Sequence, residues 1–205
     1  KYGILMIADE VMSGFGRTGK WFAIEHWGVV PDLITMAKGL TSAYVQLGAV
    51  GMRQAIADTF KDKPFPGGLT YSSHPVACAA ALATLAVMEQ DGLVDRAQRM
   101  GLLMRDLHEN LAARHPSVGA VRSIGLFGVV ELVRNRKTME PMAPFNGTSP
   151  EMGALAKFFR QEGLFTLVRW NYFFTNPPLT ITEAELEEGF AIIDRALAIA
   201  DRSVE

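Results

Sequence analysis

Ile4-Leu5-Met6-Ile7-Ala8-Asp9-Glu10 is an unbroken apolar run that stops at a carboxylate, and Leu33-Ile34-Thr35-Met36-Ala37-Lys38 repeats the pattern with a lysine at its end. A half-exposed strand alternates polar and apolar residues, whereas an unbroken run suits a parallel sheet covered on both faces. Leu47 to Met52 is a third such run. Glycine- and proline-rich connectors separate the three: Gly14 to Gly19, Gly28 to Pro31 and Gly39 to Ser42. Strand, connector, strand without hairpin signals predicts an α/β fold.

Further along, Pro75 suits a first helical turn, and Ala-rich sequence runs from it to Gln90, with Gly92 as C-cap. A second helix starts near Leu93. Its Leu93, Ala97, Met100, Met104, Leu107 and Leu111 recur every three to four residues, as one buried face requires, and Pro116 closes it. Beyond this the texture becomes α+β. Val118–Ser123 and Leu126–Leu132 read as strands around an Ile124-Gly125 turn, and 134–150 as a long surface loop with three prolines. A helix over Ala154–Glu162 and strands over Leu164–Val168 and Tyr172–Thr175 follow. Thr182-Glu183-Ala184-Glu185 is a capping box opening a last helix that buries Leu186, Phe190, Ile193 and Leu197. The expected domains are 1–92 and 93–205.

The 205 residues are 49% hydrophobic and 20% charged, enough apolar surface to exclude disorder across the chain. A net charge of −2 offers no basic excess for nucleic acid. A single cysteine, Cys78, excludes an internal disulfide framework and fits a reducing, cytoplasmic compartment; in its Ala-rich helix it is expected to be a small buried hydrophobe. No small-residue cleavage site follows the first apolar run, so no signal peptide is expected. The apolar part of the longest uncharged stretch, Val76 to Met88, is 13 residues. A membrane span needs about 20, so this stretch is expected to be a buried core helix, with no membrane partner.

Asp9 and Lys38 are the first candidates for chemistry. Each follows an apolar strand, at the carboxyl edge where ligands bind in open α/β sheets; the competing reading is a loop aspartate and a solvated lysine. Gly14-Phe15-Gly16-Arg17-Thr18-Gly19-Lys20-Trp21 imitates two phosphate motifs. A P-loop needs Ser or Thr where Trp21 stands, and a dinucleotide loop leaves its strand at once, yet residues 9–13 intervene. A glycine-rich surface turn is the better reading. The four histidines show no metal-ligand spacing, and no metal is expected.

Taken together, Ile7-Ala8-Asp9-Glu10-Val11, Gly14 to Gly19, Pro31-Asp32 and Ala37-Lys38-Gly39-Leu40 resemble the class III (subgroup II) pyridoxal-phosphate aminotransferases. Thr70-Tyr71-Ser72, His74 to Ala80, Gly125-Leu126-Phe127 and Pro177 to Glu183 extend the resemblance over essentially the whole chain. It implies a fold-type I transferase. Residues 1–92 would be the C-terminal part of its large cofactor domain, and 93–205 the small α+β domain. Such enzymes are about twice this long, so the chain would correspond to a C-terminal half, without the family's glycine-serine phosphate loop and ring-stacking aromatic.

The resemblance implies a transaminase that moves an amino group from an amine or amino acid to a keto acid such as pyruvate, with pyridoxal 5'-phosphate as cofactor. Lys38 would form a Schiff base with the cofactor aldehyde and, once freed, act as general base. Asp9 would pair with the ring nitrogen; a charge pair at about 4 Å and an effective dielectric near 20 is worth roughly 4 kcal/mol, or about three pKa units. Val11 would pack on a ring face. Thr70 would reach the phosphate from a partner subunit, implying a homodimer with shared active sites. Arg169 would grip a substrate carboxylate, for which a guanidinium's paired donors are suited, or form a surface salt bridge. Decarboxylases and aminomutases share this scaffold and would use Lys38 and Asp9 equally well, and a truncated chain would be inactive.

Three departures stand out. Ala43-Tyr44-Val45-Gln46 replaces the more usual Gly-Tyr-x-Pro, Gly68 and Ser73 replace the commoner His and Gly, and Met12 stands where ornithine-type members have Gln. With Arg169-Trp170-Asn171, the last change points to the ω-amino acid or taurine:pyruvate group.

Overall fold

The computed structural model describes residues 2–205. They form two compact units, one up to Asp95 and one from Arg96 to Glu205. In the first, β1 (Ile7–Asp9) pairs in parallel with β2 (Leu33–Met36), in the register Ile7↔Leu33, Ala8↔Ile34 and Asp9↔Thr35. β3 (Ala49–Met52) runs antiparallel to β2. The α/β reading holds, with a return strand at one edge. A parallel return needs a long crossover, usually a helix, and the connector after β2 holds one 3₁₀ turn, Lys38–Thr41. After β3 come the short α1 (Gln54–Ala57) and then α2 (Pro75–Gln90), with Pro75 in its first turn and Gly92 just past it at φ 58°.

Three local expectations change here. The apolar run before β1 is uncovered: Ile4 is 82% exposed, and Ala8 is the one buried residue of the strand. Helix α2 is no fully buried core helix; it buries Ala77, Ala81 and Met88 and exposes Val76, Leu82 and Val87. It packs against the Lys38–Thr41 turn, and Ala77 and Ala81, one helical turn apart, are small enough to allow a close backbone approach. The glycine-rich segment is a turn, but it lies inside: Gly14, Phe15, Gly16, Thr18 and Gly19 are all buried.

The second unit holds an antiparallel sheet in the order β4-β5-β8-β7. α3 (Leu93–Arg114), which starts at the boundary, buries Ala97, Met100, Met104 and Leu111 as its periodicity requires. β4 (Val118–Ile124) and β5 (Phe127–Asn135) form a hairpin through Gly125 at φ 55°. The expected surface loop over 134–150 instead contains β6 (Glu140–Pro141), paired with β5, and buries Met142 and Ala143. α4 (Pro150–Gln161) begins earlier than expected because the Ser149 side chain accepts from Met152 N, 3.3 Å away. β7 (Val168–Arg169) is shorter and later than expected; β8 (Tyr172–Thr175) falls where the sequence places it.

α5 (Glu183–Asp201) carries the capping box, Thr182 accepting from Glu185 N and Glu185 accepting from Thr182 N at 2.8 Å. Leu186, Phe190, Ile193 and Leu197 join one apolar core with Phe159 of α4 and Phe173 of β8. His115, just past α3, sits between two α5 carboxylates, 2.8 Å from Asp194 and 2.7 Å from Asp201. Asp201 also accepts from the Ser117 amide and hydroxyl at 3.1 and 2.6 Å. Among the described residues no single helix is long and apolar enough to cross a membrane.

Candidate active site

The parallel register brings the two leading candidates to one edge of the sheet. Asp9 ends β1, its register partner Thr35 lies one residue from the end of β2, and Lys38 follows two residues after that strand. Asp9 Oδ1 accepts from Val11 N at 3.1 Å and from Thr35 Oγ1 at 3.2 Å. Both internal donors therefore converge on one oxygen, and Oδ2 has no donor among the described residues. Val11 folds back at half-exposure immediately after the strand.

Lys38 opens its turn in the left-handed region, at φ 45°, and is exposed. Ser42 (φ 49°) and Ala43 (φ 62°) share that conformation. Three non-glycine residues there cost of order 1–3 kcal/mol each, and such strain persists when the surroundings enforce it. Here the enforcing contacts are visible. Thr41, buried, donates to Val45 O at 2.6 Å; Ala43 N donates to Lys38 O at 3.2 Å; α2 packs on the turn. Lys38 forms no ion pair among the described residues.

A cleft of about 1130 Å³ opens beside this turn, lined by Lys38, Thr41, Gln46, Thr70 and Cys78 among others. The chain thus brings Lys38 and Thr70 together. Asp9 and Val11 are not among the cleft's lining residues, and Arg169 belongs to the second unit. There it is exposed on β7, its guanidinium 4.3 Å from the centroid of the Trp170 ring. Trp170 also meets Phe145 at 4.3 Å and Tyr172 at 5.6 Å between centroids. Cys78 is half-buried on the cleft wall, a correction to its expected burial: it lies one residue past the buried Ala77, off the stripe that α2 turns inward.

Two residues of this edge went unnoticed in the sequence. Thr35, inside an apolar run, steadies Asp9. Glu10 is 3% exposed, and its carboxylate takes three donors: Ser13 Oγ at 2.5 Å, Ala23 N at 3.1 Å and Ile24 N at 2.7 Å. The signal for Glu10 was present. Successive strand side chains point to opposite faces, so an Asp-Glu pair at a strand end sends one carboxylate to each side.

The family model for class-III aminotransferases matches residues 1–197. The chain belongs to the class-III aminotransferase family. Among its relatives, a taurine–pyruvate aminotransferase of Bilophila wadsworthia is 34% identical over 98% of this chain and 46% of its own length. A putrescine–pyruvate aminotransferase of Pseudomonas aeruginosa is 37% identical over 96% of this chain and 42% of its own. The solved structure of a taurine:2-oxoglutarate aminotransferase from Bifidobacterium kashiwanohense, in complex with PLP and glutamate, superimposes with a TM-score of 0.95. It is 39% identical, and the match covers all of this chain and 46% of that one. This class-III chain spans less than half the length of these relatives.

Proposed function

We propose that this chain is the lysine-bearing part of a pyridoxal-phosphate transaminase that moves an amino group from an amine or amino acid to a keto acid such as pyruvate. The observation that carries the reading is the register Asp9↔Thr35, which sets a carboxylate and, three residues past Thr35, a primary amine at the ends of neighbouring parallel strands. The residues suit pyridoxal phosphate chemically: an exposed amine with no ion pair, a carboxylate with one oxygen engaged and one open, and a hydroxyl across the Lys38 cleft. Bound there, the cofactor supplies an aldehyde for covalent capture of amines and an electron-withdrawing ring.

Lys38 Nζ would hold the aldehyde and, when released, carry the proton to and from the substrate carbon. Asp9 Oδ2 would keep the ring-nitrogen proton in place, with Oδ1 fixed by Thr35 and Val11. Val11 would lie on a ring face, Thr70 Oγ1 would donate to the phosphate, and Arg169 would grip a substrate carboxylate. The relatives named for taurine and putrescine favour an ω-amino donor. In this reading 1–92 belongs to the large domain and 93–205 to the small one, and the protein is a cytoplasmic homodimer with shared sites. The wholly exposed segment around Thr70 suits delivery to a second subunit as well as to its own cleft.

The test is borohydride reduction of the full chain with pyridoxal phosphate, followed by peptide mass mapping. A reduced adduct on Lys38 is expected, together with alanine formed from pyruvate in step with amine loss. No adduct on Lys38 overturns the reading, and carbon dioxide release without alanine replaces transamination by decarboxylation.

A further inference from the structure

We propose that Glu10 is a positioning residue for Lys38: its buried carboxylate clamps the loop from Ser13 to Ile24 and so holds Phe15 against Gly39, fixing the turn from which Lys38 projects. The inference rests on the role of Lys38 given above. Glu10 is tied to β2 by its own amide, which donates to Thr35 O at 3.0 Å. Its side chain spans the base of the glycine-rich segment, with Ser13 on one side and the amides of Ala23 and Ile24 on the other. Between those anchors Phe15 is buried, held in the left-handed region at φ 57°, with its amide donating to Trp21 O at 2.7 Å and its ring edge-on to Phe22 at 5.5 Å.

Phe15 ends on Gly39. A Cβ built on Gly39 would stand 2.9 Å from Phe15 Cβ and 3.3 Å from its ring, so glycine is required there by the phenylalanine. The contact chain is continuous: Glu10, the loop amides, Phe15, Gly39 and then Lys38. A buried carboxylate with three donors is expensive to disturb, because the Glu10 side chain is itself shut off from water and its partners Ser13, Ala23 and Ile24 are only partly open to it. Mutating Glu10 therefore loosens the lysine turn without touching the cofactor, the substrate or any reacting atom.

The test compares Glu10→Gln and the milder Ser13→Ala with Glu185→Gln, which weakens the α5 cap in the other unit. In the full chain, E10Q is expected to raise amide exchange about tenfold in residues 13–24 and 38–42 together. With cofactor bound, it is expected to lower kcat about tenfold or more, as slight misplacement of a reacting group does, while KM for the amine stays within about threefold and the pH midpoint of the cofactor's visible absorbance moves. S13A should show the same pattern at smaller amplitude, which keeps the proposal testable if E10Q fails to fold. E185Q should lower Tm and leave the exchange at 38–42 and the absorbance midpoint unchanged. Faster exchange confined to 13–24, or unchanged kcat and midpoint in both site variants, overturns the proposal. Coupled exchange at 38–42 in a chain whose Lys38 takes no borohydride label supports the clamp and defeats the functional reading, so the two failures are distinguishable.

Discussion

Asp9 has one oxygen satisfied within the chain and one open, and that asymmetry makes its substitutions predictable. Asp9→Asn keeps the shape and the contacts to Thr35 and Val11 but removes the charge. With roughly three pKa units of ring-nitrogen stabilisation at stake, a loss of about 10²-fold or more in kcat is expected, at nearly unchanged Tm. Steady-state turnover and a melting curve check both halves. Thr35→Val removes one of two donors to Oδ1, and a loss of only about fivefold is expected, the size of one ordinary hydrogen bond. Asp9 and Lys38 were legible because each interrupts an apolar run where its strand ends. Thr35 was not, because its role depends on which residue of β1 lies opposite, and a sequence does not state a strand register.

Among the elements, two departures from the family pattern gain a physical meaning. Ala43 and Ser73 stand where glycine is commoner, and both backbones are left-handed, at φ 62° and 58°. The loops keep the glycine conformation and bear the steric cost of a side chain. Ala43→Gly and Ser73→Gly are each expected to change stability by only about 1 kcal/mol, with relief of strain opposing the added unfolded-state entropy. A change below −2 kcal/mol in denaturant titration would contradict this. Thr182→Ala removes the α5 N-cap and should cost about 1 kcal/mol. Helix α3, the β4–β5 hairpin and α5 were legible because each buries one face with the right period or carries its own caps. The span of α2, Pro75 to Gln90, was legible too, but its burial was not: an alanine-rich helix looks buried whichever face is covered. The Ser149 cap was present in the sequence, but the prolines of 134–150 obscured it.

Taken whole, the molecule concentrates its apolar core in the second unit, where His108 and Glu151 both contribute to its response to acid. His108 of α3 is buried, with Nε2 2.9 Å from Thr175 Oγ1 and Nδ1 without a partner among the described residues, and burial pushes its pKa down to about 4. The folded protein disfavours the charged imidazole, so this contribution is complete above the unfolded value of 6.5 and is lost as pH falls towards 4. The Arg134 guanidinium holds the Glu151 carboxyl down to about 2, so stability from this pair is present above 4.5 and is lost between there and about 2. Chemical denaturation from pH 8 to 3 should show stability falling first through the histidine window and then more steeply. His108→Gln should flatten the first part alone. Shared sites, if formed, make a second expectation: mixed Lys38→Ala and Thr70→Ala subunits should recover activity that neither shows alone, since one site of each mixed pair is intact.

Asp201 gives the last turn of α5 an importance that its place near the chain's end conceals. One carboxylate there serves His115 and both donors of Ser117, binding the exit of the long helix α3 to the start of the β4 hairpin. A nonsense mutation removing the last five residues would therefore act like a core lesion rather than a trimmed tail. A purification tag fused directly after Ala200, so that Asp201 is lost, would inherit the same fault.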